Sequence, residues 1–175
     1  MFMIFYFVYL WNYIKLFNKK PARTKIENCN EPTYTSIYDT IILFDIDDTI
    51  INNRTECIQL GKKAVEIVTN SNKSDIGIVT ARPVWPPDDD LRMFKYKLPD
   101  RDKMFICYRP LFSNKSVPRM KYTQISHIAK QFKQVFFFDD KQYNVDEANK
   151  IENVDAYLVT RCNILELVTE TLNKI

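Results

Sequence analysis

Ile41-Ile42-Leu43-Phe44-Asp45-Ile46-Asp47-Asp48-Thr49 is the stretch that decides the fold. Its four leading apolar residues show no alternation, which predicts a strand buried on both faces. The run then breaks into acidic residues, as a strand does on reaching a loop. Asp45 and Asp47 thus stand one residue apart at a strand end, and two carboxylates in that arrangement suit a divalent cation, which prefers hard oxygen ligands.

Length and composition limit what can carry such a site. The chain has 175 residues and is 46% hydrophobic, enough for one domain with a substantial core and little room for a second. Its 25 Lys+Arg against 22 Asp+Glu leave a formal charge of +3 with no long basic run, so charge alone does not indicate nucleic-acid binding. Cys29, Cys57, Cys107 and Cys162 are widely spread, with no Cys-x-x-Cys pair. They are expected to be reduced and mostly buried, as in a cytosolic-facing domain.

Upstream, 15 of the first 17 residues are apolar or aromatic. Residues 1–20 form a hydrophobic segment lacking the basic start and small-residue cleavage site of a secretory signal. It is slightly short for a spanning helix of about 20 residues. Residues 1–17 are a candidate membrane anchor, in which case Lys19, Lys20, Arg23 and Lys25 would keep the following domain on the cytoplasmic side. The alternative is an extension packed on the domain or on a partner. Residues 21–38 are polar and irregular and read as a linker, leaving 39–175 as the folded domain.

Within that domain, short β-branched runs alternate with longer amphipathic ones. Strands are predicted at Thr40 to Asp47, Asp75 to Ala81, Lys103 to Tyr108, Gln134 to Asp140 and Val154 to Thr160. Helices are predicted at Glu56 to Thr69, from Asp88 or Asp89 to about Leu98, at Lys121 to Phe132, Asn144 to Ile151 and Asn163 to Leu172. Five such units predict an α/β fold: a Rossmann-like three-layer sandwich with a five-stranded parallel sheet. Ligands in these sheets bind beyond the carboxyl ends of the strands. Asp45 and Asp47 end the first strand, Thr80 and Arg82 the second, Asp139 and Asp140 the fourth, and Lys121 opens a helix, so all fall on one rim.

This set resembles the four motifs of the haloacid dehalogenase superfamily of phosphohydrolases. Asp-x-Asp-x-Thr matches as Asp45-Ile46-Asp47-Asp48-Thr49, the Ser/Thr after an apolar strand as Ile78-Val79-Thr80, and the lysine as Lys121. The acidic pair matches as Phe136-Phe137-Phe138-Asp139-Asp140. Together the motifs span about 120 residues, from Thr40 to Thr160. Asp48 departs from the pattern, since many members carry Gly there; acid-phosphatase-like branches with an Asp-Asp last motif resemble this variant. Lys115, six residues upstream of Lys121, is an alternative for the lysine. The Thr80-Ala81-Arg82-Pro83 turn and a basic loop with Arg109, Lys115 and Arg119 are similar to phosphatase domains fused to polynucleotide kinases.

The chemistry also follows from the groups. A phosphate ester repels anionic nucleophiles, so a carboxylate needs a cation to approach it. Asp45 would attack phosphorus to form an aspartyl-phosphate, and Asp47 would serve as general acid and then base. Mg2+ would be held by Asp45, the backbone carbonyl of Asp47 and Asp139, with Asp140 a ligand or outer acceptor. Thr80 and Lys121 would hydrogen-bond the phosphoryl oxygens, with Thr49 and Arg82 as further substrate-binding residues. A calcium loop from Asp45 to Glu56 fits only in part, because Ile50 sits where the turn needs glycine. His127 reads as a packed or surface side chain, and Trp85-Pro86-Pro87 as a rigid turn.

Only the 25 residues from Ile50 to Ser74 separate the first motif from the second strand, and 40 span Ala81 to Met120, too few for a folded cap beside the elements they must supply. An open rim admits a phosphorylated protein or a nucleic-acid end as substrate, while a nucleotide or small-molecule phosphatase would need a lid from elsewhere. The competing class is a binding or scaffold protein that kept the fold and lost turnover.

Overall fold

The computed structural model describes residues 36–51, 55–83, 105–110 and 113–175. Strands β1 (Thr40–Phe44), β2 (Asp75–Pro83), β3 (Phe105–Arg109), β4 (Gln134–Asp139) and β5 (Val154–Leu158) alternate with helices α1 (Thr55–Ser71), α2 (Val117–Ala129), α3 (Gln142–Ala148) and α4 (Ile164–Lys174). The strands form one all-parallel sheet in the order β3-β2-β1-β4-β5. This is the Rossmann-like α/β fold expected, with the first five strand positions of the doubly wound order.

The period of two along each strand divides the core. Ile42 and Phe44 of β1 and Phe136 and Phe138 of β4 pack with Ala64, Val65 and Val68 of α1 and Ile164 and Val168 of α4. Ile41, Leu43, Val135 and Phe137 face the other way, onto Ile125, Ile128 and Ala129 of α2 and Ala148 of α3. The predicted near-continuous apolar strands are therefore buried on both faces. Phe44, Phe138 and Tyr157 stack in register across β1, β4 and β5, with ring centroids 5.4 Å apart at both steps. Such pairs add about 0.5–1.5 kcal/mol each beyond their buried area.

Strand β1 ends at Phe44 and not at Asp47, so Asp45 and Asp47 lie just beyond it, and two helix starts move by two residues or more. The helix expected from Lys121 begins instead at Val117, behind the N-cap Ser116. Pro118 belongs to its first turn, where a missing N–H costs nothing and the fixed φ suits the helix. The helix expected from Asn144 begins at Gln142. The helix predicted near Asp88 to Leu98, the Trp85-Pro86-Pro87 turn, the apolar segment 1–20 and residues 21–35 of the expected linker lie outside the described residues.

The membrane-tethered, cytoplasmic placement is corrected: among the described residues no helix is long and apolar enough to cross a membrane, and the tether is without support. The expectation of reduced cysteines is corrected too. Cys57 and Cys162 form a disulfide with Cα atoms 5.0 Å apart, within the range such a bond requires, and Cys107 is disulfide-bonded as well. The Cys57–Cys162 bridge joins α1 to the turn before α4 across 105 residues of sequence, a pairing created by packing and invisible in spacing.

Gly61 fixes how closely α1 approaches the loop after β1. A Cβ at this position would lie 2.2 Å from the Ile50 carbonyl oxygen and 2.8 Å from the Ile50 carbonyl carbon and Cα. The clash is with backbone, which cannot rotate away. Gly61→Ala is expected to destabilise the protein by about 1–3 kcal/mol, read as a lowered midpoint in thermal denaturation followed by circular dichroism. An unchanged midpoint would show that α1 does not pack against this loop.

Candidate active site

The alternation that sorts the core also aims the site. Ile41 and Leu43 face α2, so Asp45, two residues further, leans to the same side; Val135 and Phe137 place Asp139 likewise. Phe44 is in register with Phe138, and the Asp45 N–H donates to the Phe138 carbonyl at 2.9 Å. The two aspartates are thus neighbours across adjoining strand ends, and both are buried.

Lys121 reaches them from α2. Its Nζ lies 2.8 Å from Asp45 Oδ1 and 2.6 Å from Asp139 Oδ2, and the side chain is only 2% exposed. The ammonium passes 5.8 Å from the centroid of the Phe137 ring. Between the two candidate lysines, the structure brings Lys121 into the carboxylate cluster; Lys115 is exposed, with Nζ 3.4 Å from Thr123 Oγ1. Burial lowers the affinity of Lys121 for its proton, but Asp45 and Asp139 outweigh that and its pKa moves upward. At Asp45, burial dominates over the attraction of Lys121, Asp139 adds repulsion, and the pKa rises from 3.8 to about 7.

Asp140 completes a set of three. Carboxylate oxygens of Asp45, Asp139 and Asp140 lie within 4.8 Å of one another. Three carboxylates against one buried ammonium, all offering hard oxygen, fit a divalent cation of the Mg2+, Ca2+ or Mn2+ type. Asp140 is also paired to Lys141 Nζ at 2.6 Å, a hydrogen bond that raises the Lys141 pKa.

Asp47 stands apart from this set. Its side chain is 54% exposed and is gripped by Arg82: Nε donates at 3.1 and 2.9 Å to the two carboxylate oxygens, and Nη2 at 2.5 Å to Oδ1. Arg82, expected among the substrate-binding residues, therefore holds a carboxylate in this structure. Thr80 is fully buried at the end of β2, its Oγ1 accepting from the Arg82 N–H at 3.1 Å. Thr49 is buried with its Oγ1 lacking a hydrogen-bond partner among the described residues.

The departure at Asp48 has a backbone cause. Its φ is 56°, in the left-handed region that glycine enters freely and that Asp tolerates better than most residues. The turn around it is held by Asp48 N–H to Ile51 O at 2.8 Å and Ile51 N–H to Ile46 O at 2.9 Å.

Asn144 was not anticipated. It is 2% exposed and its Nδ2 donates to both oxygens of Asp139, at 2.9 and 3.0 Å. Its only trace in the sequence is an amide five residues beyond an acidic strand end, on the inner side of a helix.

No family model matches the chain, and no curated protein matches it. A solved structure described as the Pnkp1/Rnl/Hen1 RNA repair complex is similar to it, with a TM-score of 0.49 and 12% identity over 78% of this chain. The chain spans 46% of the length of that one.

The raised Asp45 pKa has a signed consequence. Between about pH 4 and pH 7 the folded, cation-free protein keeps a proton that the unfolded chain has released, so the Asp45 contribution to stability falls as pH rises through that window. Asp45→Asn should therefore be more stable than wild type at pH 8 without divalent cation, with the gap narrowing by pH 5. Chemical denaturation at both pH values with EDTA present checks this; equal gaps would show that Asp45 is not proton-linked.

Proposed function

We propose that this chain is a Mg2+-dependent phosphomonoesterase of the haloacid dehalogenase type, working through an aspartyl-phosphate on Asp45. The observation that carries the reading is the abutment of Asp45 and Asp139 at adjoining strand ends, with Lys121 bridging them. A buried, fixed carboxylate beside a lysine and a second carboxylate is what in-line attack on a phosphoryl group requires. The cation, held by Asp45, Asp139 and Asp140 with the Asp47 backbone carbonyl, would supply charge neutralisation.

The residues divide the work. An Asp45 oxygen forms the bond to phosphorus as the ester oxygen leaves, and that oxygen takes a proton from Asp47. A water then attacks the aspartyl-phosphate, gives its proton to Asp47 and releases phosphate and the Asp45 carboxylate. Asp47 suits this exchange because its carboxylate reaches solvent. Lys121 and Thr80 would bind the transferring oxygens, with Thr49 and Arg82 assisting.

The substrate is proposed to carry an accessible phosphate, such as a phosphorylated protein, a nucleotide or a polynucleotide 3′ end. Exposed Lys115 and Arg119 flank the start of α2, and Arg109 Nη2 contacts the carbonyls of Ser113 and Lys115 at 3.4 and 3.5 Å.

The test is phosphate release from p-nitrophenyl phosphate, nucleotides, phosphopeptides and 3′-phosphorylated DNA. Turnover should require Mg2+, stop with EDTA and vanish in Asp45→Asn. Asp47→Asn should lower kcat by roughly 10²–10⁴-fold, the usual worth of a general acid–base group. Should protein with confirmed cation occupancy turn over none of these substrates, the binding or scaffold alternative replaces this reading.

A further inference from the structure

We propose that Asn144 is a positioning residue for the cation site, locking the Asp139 carboxylate in the rotation that presents it to the metal. The inference rests on the divalent-cation reading of the Asp45, Asp139 and Asp140 cluster and adds a residue to it.

Asp139 is wholly buried and receives donors on both oxygens. Oδ1 accepts from the Lys141 N–H at 2.9 Å and from Asn144 Nδ2 at 2.9 Å; Oδ2 accepts from Asn144 Nδ2 at 3.0 Å and from Lys121 Nζ at 2.6 Å. Lys121 is shared with Asp45 and the Lys141 N–H is fixed by backbone, so Asn144 is the side chain committed to Asp139 alone. By straddling the two oxygens, its amide opposes rotation of the carboxylate about its own axis.

The amide is costly for folding. With Nδ2 turned to Asp139, Asn144 Oδ1 is buried with no hydrogen-bond partner among the described residues, a penalty of about 1–3 kcal/mol. A buried position on α3 flanked by Val145 and Ala148 would favour an apolar residue if packing alone were at stake. The penalty makes sense where the return is a carboxylate held in place, and partners behind a metal ligand commonly change cation affinity 10–100-fold.

The experiment titrates Mn2+ into the full-length protein and follows free Mn2+ by electron paramagnetic resonance, alongside circular dichroism and thermal denaturation. Asn144→Ala and the near-isosteric Asn144→Leu should bind Mn2+ at least 10-fold more weakly than wild type while remaining folded, and should need correspondingly more Mg2+ for half-maximal phosphatase activity. Asn149→Ala, whose side chain bonds the Ala156 backbone, should leave Mn2+ affinity unchanged. If either folded Asn144 variant binds Mn2+ as wild type does, the positioning role is overturned. Failure of both variants to fold would make Asn144 a structural residue and overturn it equally. Absence of Mn2+ binding in wild type would instead defeat the cation reading beneath it, and absence of turnover with intact Mn2+ binding would defeat only the phosphatase assignment.

Discussion

The ammonium of Lys121, wedged between the buried carboxylates of Asp45 and Asp139, is the constraint on which the strand ends depend. Taking ionised groups out of water costs several kcal/mol each, and attraction offsets that only where the geometry is tight and remaining polar atoms are satisfied. Here one positive charge answers two negative ones. Asp139 makes up the deficit with neutral donors from Asn144 and the Lys141 backbone. Among the described residues Asp45 lacks such support from side chains other than Lys121, and burial wins over the lysine's pull, so its pKa rises to about 7. The protein thus holds one uncompensated negative position at neutral pH, relieved by a proton or by a cation.

Topology explains why that position exists at all. The chain leaves β1 for β2 and β3 on one side, then returns to lay β4 against the other side of β1. Connections diverge at this point of the sheet, and in doubly wound folds ligands usually bind beyond the strand ends where this happens. Asp45 and Asp139 are the residues immediately at that divergence, held in register by the Phe44 and Phe138 pairing. The stacked rings beneath them form a rigid apolar floor, and Gly61 lets α1 press on the loop that carries Asp47 and Asp48. Packing on one face of the sheet therefore fixes a polar arrangement that opens on the other.

Much of this was legible in the sequence because buried strands have a simple signature. Ile41 to Phe44 and Val135 to Phe138 are apolar without interruption, and an aspartate directly after such a run has few places to go but the carboxyl end of its strand. Helix starts were less legible: Pro118 and Met120 gave no amphipathic repeat to mark the first turn of α2, so Lys121 was taken as the opening residue when it lies inside. Asp48 was noted only as a departure from glycine, since its left-handed φ is a property of the turn and not of the residue. Asn144 and the Cys57–Cys162 bridge were missed for one common reason. Each depends on a side chain meeting a partner from another part of the fold, and neither Asn nor an isolated Cys carries a spacing pattern that reports such a meeting.

The two aspartates of the first motif end in opposite surroundings, and the contrast is physically coherent. Asp45 is buried, paired and close to a second carboxylate, which fixes its direction and raises its energy as an anion. Asp47 reaches solvent and is held by the half-buried guanidinium of Arg82. A group that binds a cation gains from burial, because low dielectric strengthens attraction and rigid neighbours exclude rearrangement. Ile46 between the two aspartates is fully buried and anchors the turn, so a single apolar residue separates the buried carboxylate from the solvent-accessible one.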